Sequence, residues 1–152
     1  MHNIFKKLNL KEEPEILVAN APSSFEPQLE SLREVSVVRD LAKIKSISFS
    51  LVFVIKKAEL DTLSKAITKK AEGDAIIWFV YPKKSSKKYT CDFNRDSGWD
   101  VLGKAGFEGV RQVAIDEDWS AVRFRKVEFI QSMKRDPKRA LTKEGKKRTA
   151  SK

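Results

Sequence analysis

The chain has 152 residues, 41% of them hydrophobic, which fits one globular domain able to bury its own core. No apolar run approaches the ~20 residues that cross a bilayer, and the single cysteine excludes an internal disulfide. We therefore expect a cytoplasmic protein with neither a membrane span nor a signal peptide.

The formal net charge of +10 is distributed unevenly along the chain. Residues 134–152 hold nine Lys and Arg against two acidic residues, so this segment carries +7 and the remainder only +3. We predict a single α/β domain over residues 1–133 and a basic C-terminal tail over 134–152. A basic tail indicates contact with a polyanion, although a solubilising tail explains the same composition.

The first forty residues predict a strand, a helix and a second strand. Residues 15–20 form a short apolar run, typical of a buried strand. Ser23 or Ser24 would cap the helix that follows, whose apolar residues recur at helical spacing over 25–32. Residues 35–38 then predict a second strand.

The middle of the chain contains the clearest helix. Residues 46–55 predict a third strand, buried on both faces in its second half. Residues 58–71 place their apolar side chains on one helical face, with acidic residues near the start and lysines near the end. We expect Gly73 to stop this helix, and residues 74–81 to form a fourth strand.

The last third begins with a long polar loop over residues 82–96. Ser97 would cap a short helix that Gly106 ends. Residues 110–115 and 121–127 predict two strands joined by a tight turn, hence an antiparallel hairpin at one side of the sheet.

This element order predicts a three-layer α/β fold with a doubly wound, mostly parallel sheet and an antiparallel C-terminal hairpin. Such an outline is Rossmann-like and is similar to a shortened S-adenosylmethionine-dependent methyltransferase fold. The strings ILVANAPSSF, YPKKSSKKYTCDFNRDSGW and EGVRQVAIDEDWSAVRFR also resemble a bacterial family of small proteins known only as a domain of unknown function. That resemblance covers roughly residues 8–127; it implies a Rossmann-like fold and no catalytic residue.

The turn after the first strand, residues 20–24, contains no glycine. Glycines in this turn normally let the backbone approach a nucleotide cofactor closely. Their absence argues against binding of a dinucleotide or S-adenosylmethionine in the usual manner, and we predict no cofactor. Asp40 lies where a ribose-binding acid could sit, but a solvated turn aspartate explains it better.

Open α/β sheets bind ligands in the crevice at the carboxyl ends of their strands. Asn20, Ser23 and Ser24 follow the first strand, whereas Lys83 and Lys84 follow the fourth. Free backbone N–H groups after Ser23 and the lysine charges would together favour an anion. The alternative is an ordinary helix cap beside an exposed lysine loop.

The loop over residues 83–95 interleaves basic and aromatic side chains, a pattern that can follow a phosphate backbone and stack bases. Its candidate nucleic-acid contacts are Lys87, Lys88, Tyr89 and Arg95. We therefore expect a non-catalytic binding domain for an anionic partner, with nucleic acid favoured, acting through this loop and the tail. The alternative is a degenerate methyltransferase-like domain that binds a small anionic metabolite at the strand-end crevice.

Three further features carry weaker signals. Basic neighbours could lower the pKa of Cys91, but the only histidine is His2, so no catalytic residue is predicted. The acidic residues 116–118 suit a tight turn better than a metal site, and no metal is predicted. Arg123 and Arg125 share one face of their strand and could bind phosphate or form ion pairs.

Overall fold

The computed structural model describes residues 3–93 and 98–130. Its helices and strands, in chain order, are α1 (Asn3–Lys7), β1 (Glu15–Ala19), α2 (Glu26–Glu30), β2 (Ser36–Val38), β3 (Ile47–Phe53), α3 (Lys57–Lys70), β4 (Ala71–Pro82), α4 (Asp100–Lys104), β5 (Phe107–Ala114) and β6 (Trp119–Lys126). Three 3₁₀ turns accompany them at Ser23–Phe25, Leu41–Lys43 and Val127–Phe129. The predicted tail over 134–152 and the predicted cap Ser97 lie outside the described residues.

The six strands form one sheet in the order β2-β1-β3-β4-β6-β5. The pairs β2–β1, β1–β3 and β3–β4 are parallel, whereas β6 is antiparallel to both β4 and β5. The predicted doubly wound, mostly parallel α/β fold with an antiparallel C-terminal hairpin is therefore confirmed. Because the second strand of the hairpin is the one that joins β4, β6 is inserted between β4 and β5.

The two faces of the sheet are covered by different helices. On the face we call the α3 face, Leu60 and Ile67 of α3 and Leu102 of α4 are fully buried in one apolar cluster. On the opposite face, the α1 face, Phe5 of α1 and Leu29 of α2 belong to a second cluster. The crossover from β1 to β2 lies on the α1 face, whereas the connections from β2 to β3 and from β3 to β4 lie on the α3 face. The winding therefore reverses between β1 and β3, which makes that junction the topological switch point.

Helix α1 was not expected from the sequence. It has only five residues, too few for a helical period to be visible. Tertiary contacts hold it instead: Phe5 and Leu8 are fully buried, and the Trp78 indole N–H donates to the Leu8 carbonyl at 2.8 Å. A short amphipathic segment thus forms because it closes the α1 face over β4.

Two predicted helix boundaries were wrong. Ser23 and Ser24 lie within a 3₁₀ turn that has no side-chain cap, and α2 behind it has five residues. Gly73 does not stop α3, because Ala71 leaves the helix directly in extended conformation and Gly73, with φ of 54°, lies inside β4. A residue with no Cβ tolerates this left-handed backbone within the strand.

Candidate functional site at the carboxyl edge

The carboxyl ends of β1, β3 and β4 meet at one edge of the sheet, which we call the carboxyl edge. Asn20 leaves β1 in the left-handed region, with φ of 61°, a conformation that asparagine tolerates better than most residues. Its side-chain Nδ2 donates to the Phe53 carbonyl at the end of β3, at 3.3 Å. Asn20 therefore ties the two strands together across the switch point.

The structure brings the five predicted anion-binding residues to this edge. Asn20, Ser23, Ser24 and Lys84 are exposed, and Lys83 is half-buried. One strand, β3, separates the exits of β1 and β4, which puts them about 10 Å apart. The Lys83 backbone N–H donates to the Asp118 carbonyl at 2.8 Å, which fixes the start of the loop after β4.

Four acidic side chains at the carboxyl edge accept hydrogen bonds from the protein's own backbone. Asp40 accepts the backbone N–H of Ala42 at 3.0 Å, and Glu59 accepts that of Ile55 at 3.2 Å. Asp92 accepts the backbone N–H of Lys57 at 2.6 Å, and Asp116 accepts that of Trp119 at 2.8 Å. By contrast, Lys56, Lys83 and Lys84 form no ion pair within the described part of the chain. The edge therefore presents three lysines that no described carboxylate contacts directly.

The loop over residues 83–93 crosses the carboxyl edge from one face of the sheet to the other. The Tyr89 ring packs on Trp119 on the α1 face, with centroids 4.7 Å apart. Phe93 packs on Trp99 on the α3 face, at 5.3 Å. Before these anchors, the Ser86 hydroxyl donates to the Asp118 carboxylate at 2.8 Å. The loop is thus fixed near its start by hydrogen bonds to Asp118 and further along by two aromatic side chains.

The predicted nucleic-acid residues are only partly brought together. Lys87 and Lys88 are exposed on the loop. Tyr89 is half-buried and its ring is committed to Trp119, so it is not an open platform for a base. Arg95 and the tail lie outside the described residues. Nucleic-acid binding therefore stays a prediction.

Cys91 is a half-buried free thiol. Burial raises the pKa of the Cys91 thiol, a backbone hydrogen bond at Phe93 partly opposes this, and the charge of Asp92 adds to the rise. The lowering that its basic neighbours suggested is wrong in direction, because desolvation disfavours the thiolate. These influences favour the neutral thiol over the thiolate.

The acidic hairpin residues serve the turn. Asp116 accepts the backbone N–H groups of Asp118 and Trp119, both at 2.8 Å. Over residues 3–93 and 98–130, no three His, Cys, Asp or Glu side chains are grouped to hold a metal ion. Within the same residues, no helix is long and apolar enough to span a bilayer.

Comparison with known proteins places the fold. No protein-family model matches the chain, and no curated protein matches it by sequence. Among solved structures, an S-adenosylmethionine-dependent methyltransferase from Aquifex aeolicus has a TM-score of 0.57 at 14% identity, covering 82% of this chain and 88% of that one. The N-methyltransferase NodS from Bradyrhizobium japonicum has a TM-score of 0.53 at 11% identity, covering 82% and 93%.

The magnesium protoporphyrin IX methyltransferase from Synechocystis, whose structure contains S-adenosylmethionine, has a TM-score of 0.52 at 9% identity, covering 82% of this chain and 76% of that one. These likenesses show the methyltransferase-like Rossmann fold that the element order predicted. The resemblance to one particular bacterial family stays a prediction.

The residues at the switch point do not fit S-adenosylmethionine. The first turn lacks glycine, and Asn20 bridges the gap between β1 and β3. Phe25 and Phe53, both buried and with ring centroids 5.2 Å apart, fill the space beside the turn. Asp40 is engaged as a cap, and the start of α3 already holds the Asp92 carboxylate. At each of these positions the polar groups and rings that could meet such a cofactor are engaged with other parts of the chain.

Proposed function

We propose that this chain is a degenerate methyltransferase-like domain that binds a small anionic metabolite at its carboxyl edge. The observation that carries the proposal is a group of lysines without a direct ion-pair partner there. Within the described residues, Lys56, Lys83 and Lys84 form no ion pair, whereas the neighbouring carboxylates are held by backbone N–H groups. An anion bound at the edge would meet ammonium groups that are free to form charge-assisted hydrogen bonds with it.

The polar groups of the first turn complement these lysines. Ser23 and Ser24 are exposed and make no cap hydrogen bond, so their hydroxyls are available as donors. The gap of about 10 Å between the exits of β1 and β4 suits a metabolite with one or two anionic groups. The fixed loop over 83–93 would let Lys83 and Lys84 bind without ordering a long segment.

Calorimetry with inorganic phosphate and pyrophosphate tests the proposal. Lys83→Gln/Lys84→Gln should weaken binding about tenfold or more, since hydrogen bonds to charged groups are the strong ones. The control, Lys45→Gln/Lys69→Gln, removes the same charge from exposed positions at the opposite edge of the sheet. Equal weakening by both double variants would contradict a site at the carboxyl edge. Tight binding of S-adenosylhomocysteine would contradict the misfit argued for the cofactor.

Nucleic acid is the second candidate, because Lys87 and Lys88 are exposed on the same loop. A salt series separates the two ligand classes. Binding to a single-stranded oligonucleotide through five or so phosphates should fall with a log–log salt slope of roughly −0.7 per contact, whereas a small metabolite gives a far shallower slope. A steep slope that Lys87→Gln/Lys88→Gln reduces would favour the nucleic-acid candidate.

A further inference from the structure

A second concentration of positive charge lies away from the carboxyl edge, on the α1 face of β5 and β6. Arg111 and Arg123 are partners in the register of these two strands. Side chains in such a pair stand about 5 Å apart at Cβ and share one face of the sheet. Like charges placed directly opposite one another destabilise a sheet unless something compensates them.

A β-bulge creates this arrangement. Gly109 lies opposite Phe124 and Arg111 lies opposite Arg123, so Val110 is an extra residue in β5. Since a shift of one residue reverses the direction of every following side chain, the bulge puts Arg111 on the same face as Arg123. Val113, two residues after Arg111, and Ala121, two residues before Arg123, belong to the α1-face cluster and confirm that assignment.

The acidic groups near the two arginines are used elsewhere. Asp74 lies beside Arg125, with Oδ1 accepting from Nε at 2.8 Å and Oδ2 from the terminal nitrogen at 2.5 Å. Glu108, opposite Arg125, is fully buried and engaged in an interaction of its own. Across residues 3–93 and 98–130, neither Arg111 nor Arg123 has an ion-pair partner.

Arg123 also carries an unmet donor. Its Nε is buried and has no hydrogen-bond acceptor among the described residues, while Arg111 is exposed. Burial lowers the pKa of Arg123, the charges of Arg125 and Arg111 lower it further, and only Asp74 opposes them. A buried donor without an acceptor and an uncompensated charge are both costly, and one oxyanion would satisfy both.

We infer that Arg111 and Arg123 form a binding site for a phosphoryl group on the α1 face. One guanidinium approaches from each strand, and the planar forks present several N–H donors to the tetrahedral oxygens. Trp119 begins β6 at the carboxyl edge. Arg123 lies four residues further along the strand, about 13 Å from that edge. The site is therefore separate from the one proposed above and does not depend on it.

The direction in which Arg111→Gln changes the melting temperature of the full chain tests the inference. In low-salt buffer without phosphate, Arg111→Gln should leave the melting temperature unchanged or raise it, because it removes like-charge repulsion. Added inorganic phosphate should raise the melting temperature of the wild type but not that of Arg111→Gln, at matched ionic strength in sodium chloride. The control Arg33→Gln, at an exposed position elsewhere, should respond like the wild type.

NMR of the arginine Nε–H groups provides the direct readout. Phosphate should shift the Arg123 signal saturably, and Arg111→Gln should weaken that titration about tenfold. Arg123→Lys keeps the charge but loses the planar fork, so it should also weaken binding. An unmoved Arg123 signal, or equal stabilisation of wild type and Arg111→Gln by phosphate, would overturn the inference.

Two further arms identify the source of the phosphoryl group and separate the two proposals. A single-stranded oligonucleotide that shifts Arg123 at lower concentration than inorganic phosphate would assign the site to a nucleic-acid backbone, and the reverse would assign it to a free phosphate. Lys83→Gln/Lys84→Gln should leave the Arg123 titration unchanged. If phosphate no longer shifted the Arg123 NMR signal in that double variant, the inference of a separate site would be overturned.

Discussion

The two faces of the sheet are built differently. A helix of 14 residues and a group of packed aromatic rings cover the α3 face. Helices of only five residues cover the α1 face, and over β5 and β6 that face carries Arg111 and Arg123 at positions where its neighbours carry apolar side chains. The α3 face thus depends on one long helix, whereas the α1 face is closed by short helices and carries two arginines without ion-pair partners among the described residues.

Removal of the central ring on the α3 face should have the largest effect. Trp99 is 4% exposed and contacts the rings of Phe79, Tyr81, Phe93 and Phe124 at centroid distances of 5.1 to 6.2 Å. We expect Trp99→Ala to lower the free energy of unfolding by about 3–5 kcal/mol, through lost burial and the cavity left behind. Urea denaturation followed by circular dichroism measures this loss.

The matched change on the α1 face is Trp119→Ala. Trp119 is equally buried but contacts only the rings of Phe53 and Tyr89 among the described residues. Its loss should therefore cost less than that of Trp99, and it should also increase amide exchange in the loop over 83–93. A larger cost at Trp119 would contradict the expectation that the number of ring contacts decides the loss at these two positions.

Trp78→Phe tests how the α1 face is closed. The substitution keeps an aromatic ring in the core but removes the hydrogen bond from the indole to the Leu8 carbonyl. The carbonyl then lacks its partner, so we expect a loss of about 1–3 kcal/mol in the free energy of unfolding. Amide exchange at residues 5–10 should rise, whereas exchange in α3 should change only with global stability. Uniform acceleration alone would contradict a local role for this bond.

Much of the sheet could be predicted from the sequence, because buried parallel strands are nearly continuous apolar runs. Strands β1, β3 and β4 and helix α3 follow this rule or the helical period. Helix α1 could not be predicted, because five residues show no period and its stability comes from Phe5 and Leu8. The insertion of β6 between β4 and β5 depends on packing between distant segments, which local patterns do not report.

Some residues of the candidate site could likewise be placed from the sequence, and others could not. Asn20, Ser23, Ser24, Lys83 and Lys84 could be placed at one edge, because the ends of parallel strands meet there. The path of the loop was not visible, so Asp92 could not be assigned to the start of α3, which is 35 residues earlier in the chain. The proposed role of Arg111 depends on a bulge at Gly109, which is the one local signal for it.

Ser64→Ala should produce a smaller effect of opposite sign on the α3 face. Ser64 is fully buried, and its hydroxyl has no partner within the described residues. Alanine removes the unmet polar group and favours the helix, so we expect the free energy of unfolding to rise by about 1 kcal/mol. Thr62→Ala, exposed on the same helix, should gain only the few tenths due to helix propensity. Destabilisation by Ser64→Ala would show that the hydroxyl is satisfied, for instance by a buried water.

The prediction with the smallest expected effect compares Arg125, which is paired with Asp74, with Arg111, which has no ion-pair partner among the described residues. The hydrogen bond from Arg125 holds the pKa of Asp74 below its ordinary value of 3.8, although partial burial opposes this. A carboxyl group with a depressed folded-state pKa stabilises the protein above its unfolded pKa, and this contribution is lost as pH falls through the folded value.

The Asp74 side chain is 35% exposed, so solvent screening should keep the contribution below about 1 kcal/mol. Arg125→Gln should therefore flatten the fall in the free energy of unfolding between about pH 5 and pH 2, while it lowers stability slightly at pH 7. Arg111→Gln should keep the acid-dependent fall, because Arg111 has no carboxylate partner among the described residues. The same flattening in both variants would mean that the α1 face behaves as one charge network, and the distinction between its paired and unpaired arginines would then be lost.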